Sequence, residues 1–511
     1  MSIASAIQTK QQQVSAAYTA CNNKGATMPE AENRNLTNLS STISTIETPI
    51  PINQQIQKVI CTQDVYTRDC ETVSANYTSI PNNKFKNDTT LVAALIPDTV
   101  TSFGTSSFQG TSKLKYVNAE NVRYLGENAF YGSGIEILTC TDLQSNGLSS
   151  YNIFNSASNL KSVNFGGSAV TLGMSIFNKC SRLTYVTLPD TITTIQSSVF
   201  KETGNIQDVT LTHIETIGGE ATFQYSNIVG FTLGGTYSSI PQFFANNCQK
   251  VTSISLTSSN LTTIGNGAFQ CCYKLSSLTL TNEENITSIG TNAFKETSSL
   301  ARSFTFTNLT SLGGEAAFQY SKITGISLNS LTSIPQYSFH RCYSLASVTL
   351  SSNLTTIGNN AFGECSALTS INLPESITTL GNNAFYICSF TNQVNLPNLT
   401  SMGENAFAYS KITSVTNLGS ITTVSGGAFQ YCSSLTSVTL PSTVTSIGGL
   451  AFARIYSTLT SLTILATTPP SVVNSFLLDT YATIYVPAAS VSDYQNATGW
   501  TSFASRIQAI P

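Results

Sequence analysis

The chain has 511 residues, 41% hydrophobic and only 10% charged, with 12 Cys, 2 His and 1 Trp. Apolar residues spread evenly from end to end, with 26 Phe and 21 Tyr, exclude a disordered chain. A net charge of −3 without a basic run excludes a nucleic-acid binder, which needs clustered Lys and Arg, and the longest apolar stretch, Leu91 to Pro97, falls far short of the roughly 20 residues of a bilayer span, so no membrane insertion is expected.

Residues 1–47 read as two short helices. Ile3, Ile7, Val14, Tyr18 and Cys21 share one helical stripe that Gly25 ends; Pro29 suits a first helical turn, and Leu36, Leu39, Ile43 and Ile46 form a second stripe. The stripe of Ile3, Ile7, Val14 and Tyr18 is too short to be a stable lone helix in water. It is therefore expected to assemble the protein as a homotrimer or to attach it to a partner. Gln8, Lys10, Gln11, Gln12 and Gln13 interrupt the apolar run that an export signal needs, so no ordinary export signal is expected. Residues 48–72 read as a linker and N-terminal cap: Thr48-Pro49-Ile50-Pro51 is stiff and extended, and Cys61 and Cys70 form a close pair, open to a loop disulfide or two free thiols.

From about Val73 to Leu465 one motif recurs, best written Ile-Gly-x-x-Ala-Phe, as in Ile264 to Phe269 and Ile357 to Phe362. Taking the phenylalanine as register mark gives about seventeen turns, from Phe85 through Phe244, Phe269 and Phe362 to Phe452, at roughly 23 residues each, within the range of leucine-rich repeats. Between marks lies an alternating segment such as Leu435, Val438 and Leu440, whose period of two buries one face. A second apolar pair, such as Val444 and Ile447, precedes a Gly expected to make a tight turn and a Phe expected to fill the interior. Each turn exposes an apolar face that only its neighbour can cover. The expected fold is a repeat solenoid, a β-rich leucine-rich-repeat array with short N-terminal helices and a C-terminal α+β cap over residues 466–511.

Longer blocks are also copied: Ile217 to Ser226, Leu312 to Ser321 and Met402 to Ser410 are near-duplicates. Copying accounts for the row Glu127, Glu220, Glu315 and Glu404, each three residues before its Phe. It also accounts for the cysteines: Cys180, Cys272, Cys342, Cys365, Cys388 and Cys432 lie three residues after the register Phe, and Cys248 four after. Metal sites want ligands paired at short spacings, so these are read as buried free thiols, and no metal or cofactor is expected. Sequons at Asn76, Asn260, Asn285, Asn308, Asn353 and Asn398 keep the same register and are read as turn asparagines satisfying backbone groups.

If the alternating apolar residues point inward, two columns between them point outward: Ser253 and Ser255, Ser277 and Thr279, Ser347 and Thr349, Ser370 and Asn372, Ser437 and Thr439. This field of hydroxyls and amides is the candidate binding face; charged residues and Trp are almost absent from the columns, which also carry Tyr185 and Asp208, so a protein hot-spot surface built on Trp, Tyr and Arg is not evident. His213 and His340 are the only histidines and lack a placed nucleophile or acid, and the exposed acids Asp190 and Asp208 carry no motif, so no enzyme is expected. The closing segment breaks the repeat with Pro469-Pro470, a strand at Ala482 to Val486 and an amphipathic stretch containing Tyr494, Trp500, Phe503 and Ile507.

Ile357 to Cys365 and Leu435 to Pro441 together resemble the BspA-like leucine-rich repeats, also called the Treponema pallidum type, and the resemblance covers about Val73 to Leu465. The ending Ile484-Tyr485-Val486-Pro487 through Gly499-Trp500 is similar to the C-terminal segment common on such proteins in gut Firmicutes. Ser2 to Ile46, with Gly25-Ala26-Thr27-Met28-Pro29-Glu30 followed by Asn38-Leu39, is similar to the N-terminal segment of tail or minor structural proteins of Firmicutes phages. The first resemblance implies adhesion without chemistry and defines no ligand-contact residue. The second implies a virion protein, assembled in the host cytoplasm and acting outside it, whose N-terminus docks on a tail or baseplate protein. The expectation is a phage tail fibre or receptor-binding protein that recognises a glycan or protein receptor on a bacterial surface. Two alternatives stand beside it: a BspA-like bacterial cell-surface adhesin exported without a classical signal, and a structural fibre spacer.

Overall fold

The computed structural model describes residues 78–94, 96–473, 475–477 and 479–511. The Ile3, Ile7, Val14 and Tyr18 stripe, the linker, the Cys61 and Cys70 pair and Asn76 lie outside the described residues.

The chain divides into two compact units, one ending at Gly218 and including Ser226–Val229, the other comprising Gly219–Tyr225 and Gly230–Pro511. Each is a β-solenoid. A coil contributes one longer strand and one two-residue strand, and both kinds pair in parallel with their counterparts a coil away. In the first unit the longer strands are Ile137–Leu143, Ser162–Gly167 and Tyr185–Thr187, which pair in turn, and Asp208–Ile214, and short strands such as Thr171–Leu172, Thr194–Ile195 and Thr216–Ile217 form the second ladder. In the second unit the longer strands form separate ladders: Gly230–Gly235 with Ser253–Ser258 and Ser277–Leu280; Ser303–Thr305 with Gly325–Leu328 and Ser347–Leu350; and a run from Val394–Asn395 through Ser437–Leu440 to Ile507–Ala509.

The alternation read from sequence is the one observed. Along Ser437–Leu440 the residues are half-exposed, buried, half-exposed and buried, and Leu435, Val444 and Ile447 are also buried. The register phenylalanines form an interior spine. Phe362 is fully buried and stacks on Phe339 at 5.2 Å and on Phe385 at 5.4 Å, with interplanar angles of 11° and 2°. Its amide also donates to Ala384 O at 2.9 Å, so the turns are laddered like the strands.

Three features correct the sequence reading. The first is the role of the glycine after the short strand, which does not adopt a left-handed conformation. A Cβ on Gly358 would lie 2.7 Å from Gln336 N, so Gly is required there by close approach of the neighbouring coil. The left-handed positions instead flank each Phe, two residues before and two after: Asn360 (φ 53°) and Glu364 (φ 62°) around Phe362, Asn383 (φ 54°) and Ile387 (φ 55°) around Phe385.

The second correction is the register mark at Phe244. The amide that ladders onto the next coil, as Phe269 N does onto Ala293 O, belongs here to Ala245, which donates to Ala268 O at 2.7 Å. The pair Ala-Phe is thus reversed to Phe244-Ala245. Phe244 still fills the interior from the adjacent position, but edge-on, at 86° to Phe223 and 83° to Phe269. Cys248 then falls three residues after the register position like the other ladder thiols.

The third is the outward face, expected as one sheet. Between Ser277–Leu280 and Ser303–Thr305 the ladder is replaced by a side-chain plug, in which Arg302 pairs with Glu283 and donates to Leu278 O, while Glu283 accepts from Thr305 N at 2.9 Å. The coil carrying Ser370 and Asn372 forms no longer strand, only the short Thr379–Leu380.

The C-terminal cap is as expected. The strand Thr483–Val486, the helix Val491–Asn496 and the closing strand Ile507–Ala509 bury Tyr494 and Trp500 completely. Tyr494 OH donates to Ala466 O and Trp500 Nε1 to Pro470 O, each at 2.8 Å, which satisfies both polar tips on the last coils.

Candidate binding faces

The outward columns are where the alternation places them. Ser253 is opposite Ser277 and Ser255 opposite Thr279; Ser347 and Thr349 pair with Gly325 and Ser327; Ser437 and Thr439 pair with Ser461 and Thr463. All ten candidates, Ser370 and Asn372 included, are exposed or half-exposed. Among the described residues, none of the ten side chains hydrogen-bonds to another part of the chain.

That distinguishes them from the hydroxyls beside them. Immediately before the short strand a Thr donates to the carbonyl of the same column one coil earlier: Thr287 to Thr262 O, Thr355 to Thr332 O, Thr378 to Thr355 O and Thr400 to Thr378 O, at 3.1 to 3.3 Å. A second such column precedes the longer strands, as in Thr436 to Thr413 O at 2.9 Å and Thr460 to Thr436 O at 3.1 Å. These ladders also explain the sequons. In Asn353-Leu354-Thr355 the Leu is buried, the Thr belongs to the ladder and the Asn is exposed. A backbone-satisfying asparagine side chain occurs at Asn398, whose Nδ2 donates to Glu375 O at 3.0 Å.

The ladder thiols are free and buried. Each donates to the carbonyl of the register residue one coil earlier, Cys365 to Phe339 O at 3.1 Å, Cys388 to Phe362 O at 3.0 Å and Cys432 to Phe407 O at 3.1 Å. Burial pushes the Cys342, Cys388 and Cys432 thiols up to about 12, which keeps them protonated and inert. Among the described residues no group of three or more His, Cys, Asp or Glu is placed to hold a metal ion. The recurring glutamates form no shared site: Glu127 accepts from Asn128 Nδ2 at 2.8 Å and Glu220 from Gln242 Nε2 at 2.6 Å.

The structure reveals a second surface. The left-handed residue two after each Phe carries, in seven successive coils, Tyr320, Arg341, Glu364, Ile387, Tyr409, Tyr431 and Arg454. Tyr409 stacks on Tyr431 at 4.5 Å, and Arg454 lies 5.7 Å over Tyr431. Arg341 lies 5.4 Å over the Tyr320 ring, donates to its OH at 2.6 Å and pairs with Glu364 at 2.9 Å. His340 approaches the same carboxylate at 3.6 Å, and burial holds its imidazole below the usual range despite that carboxylate. The sequence signal was available, because these residues keep one offset from the register Phe. It is masked because the same position carries Asn87, Gly110, Ser156, Lys179 and Cys271 in other coils and so has no residue-type signature.

Among the described residues no helix is long and apolar enough to cross a membrane. A search of curated proteins gives no match. Among solved structures, a leucine-rich repeat protein of Bacteroides ovatus is 18% identical, with 82% of this chain and 92% of that chain covered, at a TM-score of 0.42. A leucine rich cell surface protein of Faecalibacterium prausnitzii is 20% identical over 81% and 85% of the two chains, at 0.27. The Treponema pallidum leucine-rich repeat protein is 16% identical over 50% and 78%, at 0.19. The profile of the BspA type leucine rich repeat region matches six times, over residues 78–207, 148–259, 215–331, 262–391, 313–436 and 367–476. With the repeat matched over most of its length, the chain belongs to the BspA-type leucine-rich repeat family.

Proposed function

We propose that this protein is a non-enzymatic adhesion protein, a phage tail fibre or receptor-binding protein, whose strand face contacts a glycan or protein receptor on a bacterial surface. The observation that carries this reading is the contrast in hydroxyl use: the flanking Thr columns are engaged in ladders, whereas Ser253, Ser255, Ser277, Thr279, Ser347, Thr349, Ser370, Asn372, Ser437 and Thr439 keep their donors and acceptors for an external ligand. An uncharged hydroxyl and amide surface suits hydrogen bonding to sugars. Membership of a repeat family whose products are commonly surface-associated supports the adhesion role. The resemblance of Ser2 to Ile46 to phage structural proteins favours a virion protein, attached to the tail or baseplate through Ile3, Ile7, Val14 and Tyr18 and trimerised there, over a bacterial adhesin.

Adsorption of the labelled full chain to a panel of Firmicutes cells tests the reading. Binding to a subset of strains, removed by periodate when the receptor is a glycan or by protease when it is a protein, is expected. Absence of binding across the panel contradicts it. Adjacent tail and lysis genes support the virion assignment, and a flanking secretion or sortase locus contradicts it.

A further inference from the structure

The column from Tyr320 to Arg454 is unusual in two ways. The first four described coils fill the same left-handed position with Asn87, Gly110, Gly132 and Ser156, residues that are small or tolerate that conformation, and Lys179, Glu202, Tyr225, Asn247, Cys271 and Glu296 follow in the next coils. From Tyr320 onward seven bulky residues occupy it, all with φ between 55° and 62°. Stacking offsets part of the strain at Tyr320, Arg341, Tyr409, Tyr431 and Arg454. The β-branched Ile387, a residue type that tolerates this conformation poorly, is 37% exposed. Strained backbone held at an exposed apolar side chain points to a function for that side chain.

The second peculiarity is the order of residues. Ile387 is the middle member of the seven, one per coil. Laid antiparallel against itself about a twofold axis at Ile387, the column sets Tyr320 opposite Arg454, Arg341 opposite Tyr431, Glu364 opposite Tyr409, and Ile387 opposite Ile387. Every guanidinium then faces a phenol ring, the carboxylate faces a phenol hydroxyl, the apolar residue faces its own copy, and no like charges meet. The register Phe rings of these coils lie 5.2 to 5.6 Å apart, an even spacing that lets all seven positions keep this register together. Within one chain the charges are already balanced, Arg341 by Glu364 at 2.9 Å and Arg454 by Asp479 at 3.9 Å, so the edge repels neither itself nor a neutral surface. Guanidinium groups retain further donors and an open ring-stacking face in that state.

We infer that this turn edge is a homotypic interface, at which two copies of the chain pair antiparallel about a twofold axis through Ile387. An isologous contact requires a self-complementary patch, and this order of residues supplies one. The contact is separate from any assembly through residues 1–47 and from the strand face, which it leaves free for a receptor.

Sedimentation velocity on the full chain over the micromolar range tests the inference, with Ile387→Arg as the disrupting variant. It sets two guanidinium groups against each other on the axis, and like charges across an interface are strongly unfavourable. The expected result is concentration-dependent pairing that Ile387→Arg weakens at least about tenfold. As a positional check, Ile387→Cys places two thiols on the axis and should give a disulfide-linked pair under mild oxidation, whereas Tyr409→Cys meets Glu364 and should cross-link far less. Three results overturn the inference: a wild-type chain with no concentration-dependent association, association unchanged by Ile387→Arg as expected for an N-terminal assembly alone, or equal cross-linking by the two cysteine variants.

Discussion

The strand face and the turn edge of the second unit are built by the same repeat, yet they treat side chains in opposite ways. On the strand face the backbone is regular and the outward residues are small, uncharged and unengaged, as at Ser277 and Thr279. On the turn edge the backbone is left-handed in every coil and the outward residues are large, stacked and ion-paired, as at Tyr431 and Arg341. The difference shows where a solenoid can vary. Strand residues are held by the ladder whatever their outward side chains, so that column is free to carry small hydroxyls such as Ser277 and Thr279. Turn residues bear a conformational cost, and a bulky side chain there is retained only where stacking or a partner offsets it.

If interior packing dominates both regions, the largest effect comes from the spine they share. Phe362→Ala removes a fully buried ring stacked on both sides and should cost about 3–5 kcal/mol, read as a fall in the denaturation midpoint. Gly358→Ala should cost about 1–3 kcal/mol, because the added methyl meets the Gln336 backbone, which cannot move without shifting a coil. A conformational role for Gly358 predicts a much smaller loss, since its φ is not left-handed.

On the turn edge the sign reverses. Ile387→Asn, which installs the residue found at the equivalent positions Asn87 and Asn247, should raise stability by about 1 kcal/mol by relieving left-handed strain. On the strand face Ser277→Ala should change stability by less than about 0.5 kcal/mol.

The thiol ladder sharpens the comparison through pH. Cys342, Cys388 and Cys432 are raised by burial from 9.0 to about 12. An acid raised in the folded state binds more protons folded than unfolded above its unfolded value. The stability it contributes is therefore intact below about pH 9 and is lost progressively as pH rises toward 12. Alkylation of the native protein at pH 8 should leave these three thiols unlabelled; rapid labelling would place them outside the core.

Much of the interior was legible in the sequence because each feature recurs at a fixed offset. Leu435, Val438 and Leu440 declared a buried face by alternation, and the spacing of Cys365 and Cys388 from their Phe declared a ladder. Three things were hidden for physical reasons. The reversal at Phe244-Ala245 preserves composition and shifts only which amide joins the ladder. The left-handed turn positions tolerate Asn, Tyr, Arg, Glu and Ile alike, so they lack the glycine signature that would announce them. The Arg302 and Glu283 plug joins residues from two coils by side chains, which no repeat period encodes. The candidate strand face was legible as two columns. Its division into separate ladders was not, because Ser370 and Asn372 fit the pattern in a coil that lacks the longer strand.

The central claim, that the strand face binds while contributing little to stability, is tested most directly by measuring both properties on one variant. In the full chain, Ser277→Arg combined with Thr349→Arg places two bulky charges on the outward columns without touching the spine. The account predicts a melting temperature close to wild type and loss of adsorption to the Firmicutes cells that the wild-type chain binds. Wild-type adsorption by a variant of unchanged stability would contradict it.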